Sequence, residues 1–204
     1  MTKWIFLDLG STLIDETDCV EYRIRDLLRQ DNAPDRGVLL AKMEKIASAG
    51  GNAYKEAASY FKLETISWPC HLEKLYPETN LVLNALHEKY HLGLIANQVS
   101  GVETRLRDFG IYNYFKVIAS SGELGISKPQ QEIFLWALEQ ANCQAKEAIM
   151  VGDRLDNDIV PAARLGMKTV WVTQGSFTVS DPRNYHVRPS YTVPSLADIL
   201  PIFL

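Results

Sequence analysis

VGDRLDNDIVPAARLGMKTVWV, residues 151–172, is the stretch whose reading decides the fold. It continues an apolar run from Ala148 to Val151 that stops at Gly152-Asp153. A polar turn follows with Asp156 and Asp158, then Ile159 to Leu165 at helical spacing, then Gly166 as a helix stop. Thr169 to Val172 is again short, apolar and rich in β-branched residues, which predicts a strand. Strand, turn, helix and strand in that order form a crossover unit of a parallel sheet.

Outward from this unit the alternation continues. Leu81 to Tyr90 reads as a helix, Leu92 to Ala96 as a strand, Val102 to Phe109 as a helix, Phe115 to Ala119 as a strand and Gln131 to Ala141 as a helix. Beyond the unit, Tyr191 to Val193 predicts an edge strand and Leu196 to Leu200 a last helical turn. Near the start, Lys3 to Leu7 predicts a buried strand that runs into Asp8 and a tight turn containing Gly10. Strands alternating with helices imply an α/β fold with a parallel sheet covered on both faces. Asp8, Asn97, Ser120 and Asp153 each follow an apolar strand, so they are expected to converge on the rim where such sheets bind ligands. Residues from about Asp18 to Leu63 differ: they read as helices with breaks at Ala33-Pro34 and Gly50-Gly51 and no strand pattern. The expected organisation is a core of residues 1–15 and 79–204 with a helical cap, 16–78, folding over the rim.

The chain has 204 residues, 47 % hydrophobic and 23 % charged, with a net charge of -4. Such a chain builds one core of ordinary size, with room for a small inserted module. Mild acidity argues against a general nucleic-acid binder, which carries a basic patch. Cys19, Cys70 and Cys143 are widely spaced and form no C-x-x-C pair, so reduced thiols in a cytoplasmic protein are expected rather than a zinc or redox site. No charged n-region precedes an apolar h-region, so no signal peptide is expected. No apolar run approaches the ~18 residues of a membrane span.

Four segments carry chemistry: Asp8-Leu9-Gly10-Ser11-Thr12; Leu94-Ile95-Ala96-Asn97; Gly125-Ile126-Ser127-Lys128-Pro129 followed by Ile133-Phe134; and Val151-Gly152-Asp153 with Asp156 and Asp158. In this order and setting they resemble the motifs of the haloacid dehalogenase (HAD) superfamily, mostly magnesium-dependent phosphatases and phosphotransferases. The resemblance covers nearly the whole chain and implies a Rossmann-like three-layer α/β/α core with a small helical cap. It implies Asp8 as the nucleophile that carries an aspartyl-phosphate, Lys128 as the cation balancing the cluster, and Mg²⁺ held by Asp8, Asp153 and the Gly10 backbone carbonyl. Asp158 would ligate through water or orient Lys128. The phosphoryl oxygens would meet the amides around Leu9, Gly10 and Asn97, and Lys128. The implied substrate is a small phosphorylated metabolite. Taken singly, Asp8 and Asp153 also read as turn or cap residues and Lys128 as a solvated loop residue.

Three departures stand out. The superfamily's first motif is D-x-D-x-T, whose second carboxylate is the general acid and base; here that place is Gly10. The usual glycine is Ser11, and the hydroxyl expected at the end of the second motif is replaced by Ala96. Proton transfer is thus expected to suffer, and restoring a carboxylate by Gly10→Asp is expected to raise the rate. Asp15 and Glu16 read as charges of a hinge or helix start, His71 has no spacing argument as an acid, and His87 and His91 read as surface residues. Lys42, Lys45, Lys55 and Lys62 read as solvated helix faces. The readings left open are a slow or restricted phosphatase, a catalytically silent phosphate- or partner-binding protein, and a dehalogenase or phosphonatase. The dehalogenase is disfavoured by the intact Gly152-Asp153, and the phosphonatase by the reading of the cap lysines as solvated.

Overall fold

The computed structural model describes residues 2–175 and 185–204. The apolar run at the start of the chain becomes β1 (Trp4–Leu7), buried along its whole length. Its side chains alternate across the sheet with period two. Ile5 and Leu7 enter one core with Leu92, Leu94, Val151 and Val170, packed by Val82, Leu83 and Leu86. Trp4 and Phe6 enter a second core with Ile95, Val117 and Met150, packed by Ile133, Phe134 and Ala137. Two apolar faces on one sheet give the three-layer α/β/α arrangement.

The sheet contains β4 (His91–Ala96), β5 (Phe115–Ser120), β6 (Ala148–Gly152), β7 (Lys168–Val172) and β8 (Tyr191–Val193) besides β1. Their order is β5-β4-β1-β6-β7-β8, with every neighbouring pair parallel. The chain leaves β1, builds outward through β4 and β5, then returns to the other side of β1 at β6. The topological switch point therefore lies at the carboxyl end of β1, where Asp8 begins the loop. Gly93 in β4 is required by a close approach: a Cβ there would lie 2.5 Å from the Phe6 ring.

The helices on the faces include α4 (Thr79–His87), α5 (Val102–Asp108), α7 (Gln131–Gln140) and α8 (Val160–Arg164), with a single turn, α6 (Ser121–Leu124), after β5. The expected helix at Ile159 starts differently. A wide π-type turn, Leu155–Ile159, precedes α8, so the helical chain begins four residues earlier than the apolar spacing indicates.

Between β1 and α4 the chain forms α1 (Thr17–Leu28), α2 (Arg36–Ser48) and α3 (Ala53–Phe61). The expected breaks at Ala33-Pro34 and Gly50-Gly51 fall between them. These helices hold a core of their own, built on Ile24, Leu27, Leu39, Met43 and Tyr54. Two short strands, β2 (Ile14–Asp15) and β3 (Lys74–Leu75), pair antiparallel at the neck of this module. The neck is further tied where Thr79 Oγ1 donates to the Leu13 carbonyl at 2.8 Å. Two-residue strands carry too little pattern to be read from sequence. Among the described residues no helix is long and apolar enough to cross a membrane.

Candidate active site

The loop after β1 places Asp8. Its amide donates to the Val151 carbonyl at 2.9 Å, and the next turn closes as Leu13 and Ile14 amides donate to the Leu9 carbonyl at 2.8 and 2.9 Å. Gly152 ends β6 and Asp153 follows it. A Cβ on Gly152 would lie 2.5 Å from Cγ and 2.6 Å from Cβ of Asp158, so the missing side chain lets the π-type turn fold back. Asp158 is then pinned: its Oδ2 accepts from the Arg154 amide at 2.9 Å.

The geometry joins residues far apart in sequence. Lys128 Nζ donates to Asp8 Oδ1 and to Asp158 Oδ1, each at 2.6 Å. Asp8, Asp153 and Asp158 are all buried, and each offers a carboxylate oxygen within 4.8 Å of the others. Burial works against the Lys128 ammonium, but the charges of Asp158 and Asp8 outweigh it and raise its pKa. Burial, with the charges of Asp158 and Asp8, pushes Asp153 well above the usual carboxylate range. Burial also raises Asp158, with Lys128 opposing. Three carboxylates around one ammonium leave two negative charges uncompensated when all are ionised. The donor set is hard oxygen, which suits a divalent cation of the Mg²⁺ type.

Lys128 owes its place to Asn97. The Asn97 side chain donates to the Lys128 carbonyl and accepts from the Lys128 amide, both at 2.8 Å. The Asn97 side chain thus clamps the lysine loop, a role that its place after β4 does not announce. Ala96 is fully buried.

These groups line a cleft of about 530 Å³. Asp8, Gly10, Asn97, Lys128, Asp153 and Asp158 are all in its wall. Leu9 is fully buried beside it. Ser120 departs from expectation: it is buried at the end of β5, and the next residue, Ser121, faces the cleft. The one-residue difference follows from the turn that starts α6 there.

Asp15 and Glu16 separate. The Asp15 carboxylate accepts from the Thr17 amide at 2.9 Å, a helix-start role as expected. Glu16 turns inward and lines the cleft, where its Oε2 accepts from Ser11 Oγ at 3.1 Å. Withdrawal from water, reinforced by the charge of Asp8, pushes its pKa up to about 8. The expectation of a hinge or helix-start charge is therefore corrected for the Glu16 side chain, which lines the cleft. Helix starts commonly carry acidic residues that face water, and nothing local shows that this one turns in. The Gly10→Asp expectation also changes, because the Glu16 carboxyl already crowds the place of a Gly10 side chain.

The helical module adds Arg23, Asn52, Lys55 and Trp68 to the cleft wall. Arg23 lies 3.3 Å over the centre of the Tyr54 ring. Lys55 reaches the cleft, unlike a wholly solvated helix face, whereas Lys42 stacks 3.6 Å over Tyr60. His71 is exposed and packs edge-on to Tyr22, with no place in the cleft wall.

Comparison with known proteins agrees with this architecture. Residues 125–199 match the family model described as HAD-hydrolase-like. Glyceraldehyde 3-phosphate phosphatase from Pyrococcus abyssi is 32 % identical over 200 residues, 86 % of this chain and 83 % of that one. The enzyme of the same name from Methanopyrus kandleri is 32 % identical over 131 residues, and the match spans only 56 % of its length. Among solved structures, a predicted phosphoglycolate phosphatase from Haemophilus somnus superposes with a TM-score of 0.75 at 21 % identity, covering 100 % of this chain and 98 % of that one. The magnesium-bound HAD-hydrolase YfnB from Bacillus subtilis superposes with a TM-score of 0.70 at 21 % identity, covering 99 % and 98 %. With its sheet order, its four rim segments and a relative matched over most of both lengths, this chain belongs to the HAD-like hydrolases.

Proposed function

We propose that the chain is a Mg²⁺-dependent phosphatase of small phosphorylated metabolites that works through an aspartyl-phosphate on Asp8. The observation that carries this reading is the buried group of Asp8, Asp153, Asp158 and Lys128 at the switch point of the sheet. Phosphoryl transfer needs an in-line nucleophile and neutralised phosphoryl oxygens, and this group holds a carboxylate and an ammonium in contact. Asp8, Asp153, the Gly10 carbonyl and, through water, Asp158 would hold Mg²⁺. The bound ion supplies charge neutralisation to the phosphoryl group and to the carboxylates. Lys128 holds Asp8 in position and offers positive charge to a phosphoryl oxygen. The amides around Leu9, Gly10 and Asn97 complete the anion cradle.

The helical module, residues 16–78, acts as a cap in this reading. Its Arg23 and Lys55 line the same cleft and favour an anionic ligand. The relatives from Pyrococcus abyssi and Methanopyrus kandleri bear the name glyceraldehyde 3-phosphate phosphatase, which makes that compound a first substrate to assay. A cytoplasmic location suits a phosphorylated metabolite and three free cysteines. The rival reading, a silent phosphate-binding protein, is favoured by Gly10 and Ala96, which remove a proton donor and a hydroxyl.

Hydrolysis of an activated aryl phosphate decides between them. Mg²⁺-dependent turnover is expected, removed by chelator and by Asp8→Asn. Turnover that survives Asp8→Asn sinks the nucleophile assignment. Phosphate and Mg²⁺ binding without turnover establishes the silent reading.

A further inference from the structure

Position 10 has no side chain, and a neighbouring residue fills the space. A Cβ built on Gly10 would lie 2.7 Å from Glu16 Cδ and 2.8 Å from Oε2, with Oε1 closer still. The Glu16 carboxyl therefore occupies the volume that a side chain two residues after Asp8 would enter. It lies in the wall of the cleft that also holds Asp8, Lys128 and Asp153. We propose that Glu16 is the proton donor and acceptor of the reaction, reaching from the start of α1 into the place left free by Gly10.

The surroundings suit a group that moves protons. Asp158 is committed to Lys128 and to the Arg154 amide. Glu16 is bonded instead to the Ser11 hydroxyl, which can rotate to serve either protonation state of the carboxyl. Nor does Glu16 cap its helix with its side chain, since Asp15 supplies the bond to Thr17. Its backbone carbonyl accepts from Val20 at 2.9 Å, which fixes the root of the side chain in the first turn of α1. The carboxyl thus enters from the module, whereas the usual acid of the superfamily stands on the core loop.

The inference rests on the Asp8 reading above. In the first step an Asp8 oxygen forms a bond to phosphorus, the bond from phosphorus to the leaving oxygen breaks, and the Glu16 proton passes to that oxygen. The alcohol departs and Glu16 is left as carboxylate. In the second step water attacks the aspartyl-phosphate, its proton passes to Glu16, and the bond from phosphorus to Asp8 breaks. Inorganic phosphate leaves, with Asp8 ionised and Glu16 protonated as at the start.

The test compares wild type, Glu16→Gln, Glu16→Ala, Asp8→Asn and the double exchange Gly10→Asp/Glu16→Ala on glycerol 3-phosphate and on p-nitrophenyl phosphate with Mg²⁺. An alkyl leaving group needs a proton and nitrophenolate does not. Glu16→Gln is expected to lower alkyl phosphate turnover by roughly 10²–10⁴-fold, the usual weight of general acid–base catalysis. On the aryl substrate it is expected to give a stoichiometric burst of nitrophenolate and then slow turnover, because water attack still needs a base. The double exchange is expected to recover alkyl phosphate turnover relative to Glu16→Ala. Equal loss on both substrates without a burst, or wild-type rates in Glu16→Gln, overturns the role of Glu16 while leaving Asp8 intact. If Glu16→Gln fails to fold, the double exchange decides, and its failure to recover overturns the proposal. Turnover retained in Asp8→Asn, or none in wild type, overturns the nucleophile reading and this one with it.

Discussion

Ser11 adopts a φ of 55°, the left-handed region that favours glycine. It stands where most HAD relatives carry glycine, so the turn keeps its shape at a cost of about 1 kcal/mol in a residue with a Cβ. Space for that Cβ comes from far along the chain: a Cβ on Gly175 would lie 2.7 Å from the Ser11 Cβ. Ser11 in turn donates to Glu16, so the two departures at positions 10 and 11 serve one carboxyl. Gly10 itself has no positive φ, so alanine fits its backbone and restricts the unfolded chain, a gain of about 0.4–1 kcal/mol. The added methyl meets the movable tip of Glu16. Gly10→Ala should therefore melt near the wild-type temperature yet lose alkyl phosphate turnover, because the carboxyl is displaced. Unchanged turnover in Gly10→Ala, measured beside its thermal melt, would falsify the shared-space argument.

The end of β6 and the π-type turn after it act as one device. β6 delivers Gly152 and Asp153 to the rim, and the wide turn returns Asp158 to the same place. Such turns are rare and recur at functional sites. The periodic apolar pattern locates the strand and α8, but it cannot register one extra residue per turn. Gly152 is where this device is most sensitive. Asp158, held by Lys128 and the Arg154 amide, has no freedom to retreat from a new Cβ. Gly152→Ala should destabilise the chain by about 1–3 kcal/mol, as overpacking does, and weaken Mg²⁺ binding. Denaturant unfolding and a metal titration check both effects; wild-type stability and affinity would show that the turn adapts.

The module joins the core through a buried ion pair. Arg105 of α5 donates to both oxygens of Glu73 at 2.8 and 3.0 Å, and the Glu73 side chain is 0 % exposed. Trp68 Nε1 donates to Glu73 at 2.7 Å, and Arg105 also reaches Gln98 at 2.7 Å beside the cleft. Removing one partner of such a pair leaves a buried charge, with a cost of about 3–5 kcal/mol. Arg105→Met should therefore loosen the neck, seen as faster hydrogen exchange at residues 62–78 while β1 and β6 stay protected. Uniform protection would place the pair outside the junction. Much of the molecule is legible in the sequence alone. Strands, helices and breaks follow apolar periods that are local, and Asp8, Lys128 and Asp153 stand in motifs whose order is visible along the chain. Cleft-facing Glu16, the Asn97 clamp, the shift from Ser120 to Ser121 and the Arg105–Glu73 pair were not legible. Asp15 and Glu16 show why: two adjacent acids have the same local chemistry, yet one caps α1 and the other enters the cleft. Which way a side chain turns depends on the space left by residues elsewhere in the chain, and that space exists only after the sheet and the module have packed.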